Sequence, residues 1–288
     1  VETSPAADLA EHVQCFWWMS SPGGPRRPET IVPDGCVEIM VDVADAFREV
    51  LDDGSTRAQP RRMVAGQIQR PLVVLPGRVV DVVGVRLTPG GAEALLGGAV
   101  PELAGQVADL DDVRRDLGEA LAEAAGSQGA WPRRVAAVQH MLRARLARRP
   151  AVDPLVRAAT HLGRQAAGLL SVDELATRVG VSPRHLGRRF AASVGLSPKA
   201  WLRTLRFQEV FVAVEHGAPG SWADVAVRCG FHDQAHLVRE FRRFAGEPPA
   251  SFFADLSDLT AALTRAGRGV EHVRFVQDEL EAGGYDGG

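Results

Sequence analysis

One pattern recurs at an interval of about 50 residues near the end of this 288-residue chain, and no other feature limits the fold as strongly. SVDELATRVGVSPRHLGRRFAASVGLSPKAWL (171–202) aligns with SWADVAVRCGFHDQAHLVREFRRFAGEPPASFF (221–253). Ser171, Ala176 and Gly180 return as Ser221, Ala226 and Gly230. After one inserted residue, Leu186, Arg188, Phe190, Gly195 and Pro198 return as Leu237, Arg239, Phe241, Gly246 and Pro249. Serine with an acid three residues on (Ser171/Glu174, Ser221/Asp224) starts a helix in the manner of a capping box. Alanine leaves room for a second helix to cross closely, and glycine four residues later takes positive φ at little cost. A new cap then opens the next helix: Ser182 with Pro183 behind it, or Asp233. Helix, tight turn, helix is the pattern, and it occurs twice.

On a wheel of 100° per residue, Leu186, Phe190 and Ser193 share one face, with Arg184 and Arg188 opposite. In the second copy Leu237, Phe241 and Phe244 face inward. Ala235, Arg239 and Arg242 face outward, with His236 and Arg243 on one flank. The polar groups of FHDQAHLVREFRR (231–243) therefore form an outward surface on the second helix of the motif, the one that enters a DNA major groove. Arginine can donate twice to guanine and glutamine can pair with adenine. A single exposed arginine is also what any solvated helix face carries. Matching arginines on two second helices, Arg188 and Arg239, favour the DNA reading.

At these residues the chain resembles the AraC/XylS family of transcriptional regulators. The stretch ADVAVRCGFHDQAHLVREFRRFAGEPP, the Ala-x-x-x-Gly-Phe turn and the closing Phe252 carry the resemblance, which covers about residues 155–255. It implies a seven-helix domain with two helix-turn-helix units bridged by a long helix at about Pro198–Glu215. It also implies base contacts from Arg184, Gly187 and Arg188 in one unit, and from Gln234, Ala235, His236 and Arg239 in the other. His185, Arg242 and Arg243 flank these on the same helices and complete the expected DNA surface. Gly187 and Ala235 depart from the longer polar side chains of some members and imply a different sequence preference.

The texture before residue 150 differs. VQCFWWM (13–19), CVEIMVDV (36–43), RMVAGQI (62–68), PLVVLP (71–76) and RVVDVVGVRL (78–87) are short runs rich in Val and Ile, separated by turn formers, so strands are expected. Trp17 and Trp18 should then face opposite ways. DVRRDLGEALAEAA and PRRVAAVQHMLRARLARR have helical periodicity. The apolar stripe Val135, Val138, Met141/Leu142 and Leu146 of the latter must be buried on the β-rich body or on a second subunit. VPDGCVEIMVDV and VVGVRLTPGGAEALLG resemble an uncharacterised β-rich domain found ahead of AraC-type domains, which implies effector sensing or dimerisation. Asp34, Glu38 and Arg86 are the polar residues placed in or beside its apolar strands. They read either as contacts to a small-molecule effector or as structural residues, Asp34 a turn former and Glu38 and Arg86 an ion pair or water-facing groups.

The expected architecture is α+β with two domains: a β-rich sensor-like domain with helices at 1–150, and an all-α domain with two helix-turn-helix motifs at 151–255. An acidic tail at 256–288 follows. ARRPAVDP (147–154) reads as the linker. These segments carry net charges of −3, +3 and −3, so a modest basic excess sits where DNA would bind. Double-stranded promoter DNA is the expected partner, with RNA polymerase, an effector and a second copy of the chain as further ones.

An enzyme and a protein-binding adaptor are the competing readings. His12 and His140 are the histidines before residue 150, neither in a strand beside a carboxylate, so no metal or other cofactor is expected. Cys15, Cys36 and Ser55 have no evident histidine partner, so no catalytic residue is assigned. The cysteines, Cys229 included, read as small reduced hydrophobes. The adaptor reading rests on the tail, whose GVEHVRFVQDELEA is amphipathic and reads more readily as docked on the body. No apolar run approaches the roughly 18 residues of a membrane helix, and VETSPAADLAEH lacks a signal-peptide layout. Both point to the cytoplasm.

Overall fold

The computed structural model describes residues 1–21, 27–127, 129–149, 151–215 and 221–254. The expected tail at 256–288 lies outside them. The first half contains β1 (Glu2–Thr3), β2 (Val13–Ser21), β3 (Glu29–Ile31), β4 (Val37–Asp42), β5 (Arg48–Val50), β6 (Thr56–Ala58), β7 (Arg62–Ala65), β8 (Leu72–Leu75) and β9 (Val80–Leu87). Then follow α1 (Ala92–Leu96), β10 (Val107–Asp109), α2 (Leu110–Ala125) and α3 (Trp131–Leu146). The strands form a six-stranded sheet, β1-β2-β9-β4-β7-β10, and a four-stranded sheet, β3-β8-β5-β6. Neighbouring strands run antiparallel in both.

Alternation along the strands sorts the side chains onto two faces. Val37, Ile39 and Val41 of β4 and Val83, Val85 and Leu87 of β9 join one core with Leu117 and Leu121 of α2. Burying each such side chain contributes about 1.5–3 kcal/mol. The other face looks toward the second sheet, where Cys15, Trp17, Phe47, Val74, Val80 and Val82 form a smaller core. An irregularity in β2 between Val13 and Cys15 lets Val13 and Phe16 share the helix-side core while Cys15 and Trp17 face the second sheet. Trp18 packs against the helix-side core, stacking on Trp131 with ring centroids 6.1 Å apart. The two tryptophans do face opposite ways.

The stripe of α3 is settled by the same core. Trp131, Val135, Val138, Leu142 and Leu146 are buried against the β-rich body of the same chain. The body takes the stripe, and the second-subunit alternative loses its apolar surface.

The second half is helical: α4 (Pro154–Gln165), α5 (Val172–Arg178), α6 (Pro183–Val194), α7 (Pro198–Glu215), α8 (Trp222–Arg228), α9 (Gln234–Ala245) and α10 (Pro249–Ala254). Two cores lie along α7. Trp201 and Leu202 close the first with Val156, Leu175, Ala176, Leu186 and Phe190. Phe207, Val210 and Phe211 close the second with Val225, Ala226, Leu237, Phe241 and Phe244. Phe207 lies 5.1 Å from Phe241 and 4.9 Å from Phe244, centroid to centroid, within the range of favourable ring pairs.

The segment expected to be a linker is fastened at its end. Val152 is 6% exposed, and a Cβ at Gly90 would stand 2.6 Å from its Cγ1, so the glycine makes the seat for the valine. Asp153 caps α4, accepting the Leu155 N–H at 2.9 Å. Prolines in ARRPAVDP interrupted the periodicity as a linker does, but the apolar Val152 found a place to dock.

Candidate nucleic-acid interface

Each motif is built from its caps upward. Ser171 Oγ accepts the Glu174 N–H at 3.1 Å, and the Glu174 carboxylate accepts the Ser171 N–H at 2.8 Å, a complete capping box at the start of α5. That backbone N–H holds the Glu174 carboxyl below its ordinary range. Ser221 Oγ accepts the Asp224 N–H at 3.3 Å and donates to its carboxylate at 2.7 Å. Ala176 and Ala226 are fully buried where the helices cross. Gly180 and Gly230 turn the chain at φ +73° and +71°, a conformation a side chain would strain. Ser182 Oγ then accepts the His185 N–H at 3.2 Å, and Asp233 Oδ1 the His236 N–H at 2.6 Å, opening α6 and α9. The caps and turn glycines are local signals, and at Gly230 the close approach of Leu169 also requires glycine.

The exposed faces follow the wheel. Arg184, His185 and Arg188 are exposed on α6, and Gln234, Ala235, Arg239, Arg242 and Arg243 on α9. Gly187 and His236 are half-buried. Nothing lies within 4 Å of a Cβ placed at Gly187, so the helix is open there. His236 is partly occupied: its Nδ1 accepts the His232 N–H at 3.3 Å, and its ring meets Phe231 edge-on at 5.5 Å. His185 Nδ1 lies 3.4 Å from an Arg188 guanidinium nitrogen. All ten expected residues thus lie on the two second helices.

Residues that hold these helices in place were not among the expected site residues. Arg189 shares α6 with Arg188 but turns back, its Nε donating to Asp153 Oδ2 at 2.7 Å. Ser193 donates to the Glu93 carboxylate of α1. Arg203 of α7 grips Glu240 of α9 with bonds of 2.9, 2.8 and 2.6 Å. A bidentate arginine pair fixes orientation as well as distance. The acid four residues before Phe244 was visible in the sequence, but no local signal names its partner.

Asp34, Glu38 and Arg86 do come together. Glu38 and Arg86 are direct cross-strand neighbours on β4 and β9. The Arg86 guanidinium, 3% exposed, lies 2.7 Å from Glu38 Oε1 and 2.9 Å from Asp34 Oδ2. Trp17 Nε1 donates to the same Glu38 oxygen at 2.9 Å. Burial pushes the Glu38 carboxyl up, and Arg86 opposes that. Of the two structural alternatives for Glu38 and Arg86, the ion pair is the one present, and Asp34 joins it as a third member.

Among the described residues no three His, Cys, Asp or Glu side chains converge as metal ligands. Cys15, Cys36 and Cys229 are free and buried, and burial pushes the Cys36 thiol up to about 12 and that of Cys229 to about 11. No described helix is long and apolar enough to cross a membrane.

Comparison with known proteins gives two matches in tandem. Residues 175–255 match the family described as a helix-turn-helix domain. Residues 1–109 match a domain of unknown function, DUF6597. An uncharacterized HTH-type transcriptional regulator of Staphylococcus aureus is 30% identical over 91 residues, covering 32% of this chain and 12% of that protein. The HTH-type transcriptional regulator MtrA of Neisseria gonorrhoeae is 32% identical over 73 residues, covering 25% and 24% respectively. The chain therefore spans under a quarter of either relative's length. Among solved structures, ToxT from Vibrio cholerae O395 aligns over 84% of this chain and 99% of its own at 8% identity, with a TM-score of 0.46. With two capped units on one bridging helix, residues 175–255 form a helix-turn-helix domain, and a separate β-rich domain matching DUF6597 precedes it.

Proposed function

We propose that this protein is a sequence-specific transcriptional regulator that places α6 and α9 in two successive major grooves of promoter DNA. One observation carries the reading. Arg188 and Arg239 hold matching positions in the two copies, and both stand exposed on helices whose opposite faces are fully buried. Arg184, His185, Gln234, Arg242 and Arg243 extend that surface with donors suited to base edges and phosphates. Gly187 and Ala235 let the backbone approach closely.

In this reading residues 1–150 are the controlling domain, 151–255 the DNA-reading domain and 256–288 an acidic appendage. The tandem architecture supports control by a small-molecule effector, pairing with a second copy and contact with RNA polymerase as further parts of the same role. The same reading makes the protein a cytoplasmic, non-enzymatic one. For Asp34, Glu38 and Arg86 the geometry favours an internal use over effector binding, because the guanidinium is already shared between two carboxylates.

The test is selection of duplexes from a random-sequence pool, followed by footprinting of the winners. We expect protection of two patches about 34 Å apart on one face of the DNA, retained at about 200 mM salt. A footprint limited to a single half-turn, or no enrichment of any sequence, would overturn the proposal.

A further inference from the structure

We infer that the loop at residues 32–36 of the β-rich domain positions the two reading helices relative to each other, by lying along α7 across both helix-turn-helix units. The inference rests on the proposal that both units touch DNA. Val32, 3% exposed, belongs to the core of the second unit with Phe207 and Val210. The Pro33 carbonyl accepts Gln208 Nε2 at 2.6 Å. The Gly35 carbonyl accepts Trp201 Nε1 of the first unit's core at 3.1 Å, and Gln67 Nε2 at 2.9 Å from its own domain. Trp201, Thr204 and Gln208 are spaced by three and four residues, so they line one side of α7, and all are buried. A five-residue loop therefore contacts that side next to both cores.

The loop is stiffened from behind. Asp34 Oδ1 accepts the Cys36 N–H at 2.9 Å, and its other oxygen meets Arg86. Arg86 is anchored on Glu38, which Trp17 also holds. From the helical side, Arg164 of α4 donates to Gln14 at 2.8 Å and lies 3.7 Å from Cys36 Sγ. Gly35 takes φ +81°, and a Cβ there would stand 3.2 Å from Trp201 Nε1, so both backbone shape and close approach require glycine. A buried indole N–H and a buried amide are costly without acceptors. The helical half thus carries, inside its bridging helix, donors whose acceptors belong to the β-rich half. The angle between the two units is set by this clamp and not by α7 alone.

Two substitutions in the full-length protein break the clamp: Gln208→Leu, which nearly keeps volume, and Trp201→Phe, which keeps an aromatic ring but leaves a small void. Each is judged only if it unfolds cooperatively, and two variants keep the test alive should one fail to fold. Spin labels on cysteines introduced at Arg178 and Arg228 report the distance between the units. A single narrow distribution in the parent should broaden or shift in both variants. Duplexes selected from a random pool are then re-spaced by one or two base pairs between their half-sites, each base pair turning the second site by about 34°. The parent should prefer one spacing by about tenfold or more, and the variants should flatten that preference while keeping most affinity at the best site. An unchanged distance distribution, or equal loss of affinity at every spacing, would overturn the inference. If the parent binds no duplex, the DNA reading fails alone, and the distance measurement still decides the clamp.

Discussion

Gly84 pairs with Trp17 across β9 and β2, so close to the indole that a Cβ there would stand 2.1 Å from Cε2 and 2.5 Å from Nε1. Trp17 is 7% exposed and packs in the core between the two sheets, with its N–H on Glu38. Gly84→Ala should overpack this contact and cost about 1–3 kcal/mol or more. Chemical denaturation would measure it. Stability equal to that of the parent would show that the indole can move aside freely.

Asp42 gives a pH dependence. It is 3% exposed, its Oδ2 accepts the Phe47 N–H at a long 3.4 Å, and its Oδ1 is buried without a partner among the described residues. Burial pushes its carboxyl up to about 7, against the opposing pull of the Phe47 N–H and Arg61. Because the folded value is raised above the ordinary 3.8, the folded state binds the proton more tightly. The group's contribution is therefore largest below about pH 4 and is lost as pH rises toward 7, by at most about 4 kcal/mol. Asp42→Asn removes the titration. Its Tm should exceed the parent's at pH 8, and the two should converge near pH 4. A constant difference across that range would contradict the assignment.

Arg188→Ala and Arg239→Ala should each weaken specific DNA binding by about 1–3 kcal/mol and relax preference at separate base pairs. Thermal stability should hardly move, since both side chains are exposed. Competition binding against a panel of single-base variants distinguishes the roles. Equal weakening on all sequences would make these residues phosphate contacts.

Leu186→Ala or Phe241→Ala should do the opposite. Both are fully buried, and truncation should cost about 2–5 kcal/mol of stability through lost contacts and the cavity left behind. Base preference of the protein that remains folded should be unaltered.

Gly187→Ala combines both kinds of readout. The position is mid-helix with nothing within 4 Å of the new methyl, so the substitution should stabilise α6 by about 0.5–1 kcal/mol. If the open backbone is where DNA approaches, the same change should lower affinity. A more stable protein with unchanged binding would place Gly187 outside the contact.

The helix-turn-helix units were legible because their signals are local. Caps, crossing alanines, turn glycines and a 3.6-residue period each act within about ten residues, and Ser182, Gly180 and Phe190 all fell where those rules put them. Strands β2, β4, β7, β8 and β9 were legible from Val and Ile. β1, β3, β5, β6 and β10 were not, because each is two or three residues long and too short to show a period. β10 exists only through its pairing with β7, Val107 against Ala65. Glu38 and Arg86 could be matched as opposite charges in apolar runs, but Asp34 joined them through a fold that brings its loop back over β9. Nothing near Gln208 or Trp201 announces that their partners are the carbonyls of Pro33 and Gly35.

Those two contacts also fix an order in time. Pro33 precedes Gln208 by 175 residues and Gly35 precedes Trp201 by 166. At 5–20 residues per second, the loop leaves the ribosome roughly 8–35 s before the helix it holds. A β-rich half that folds in that interval presents a finished surface to the bridging helix as it emerges. A chain refolding from denaturant has no such head start, and must close loops of that length while both halves are still searching. Synthesis from the N-terminus therefore gives the reading half a template that dilution from urea does not.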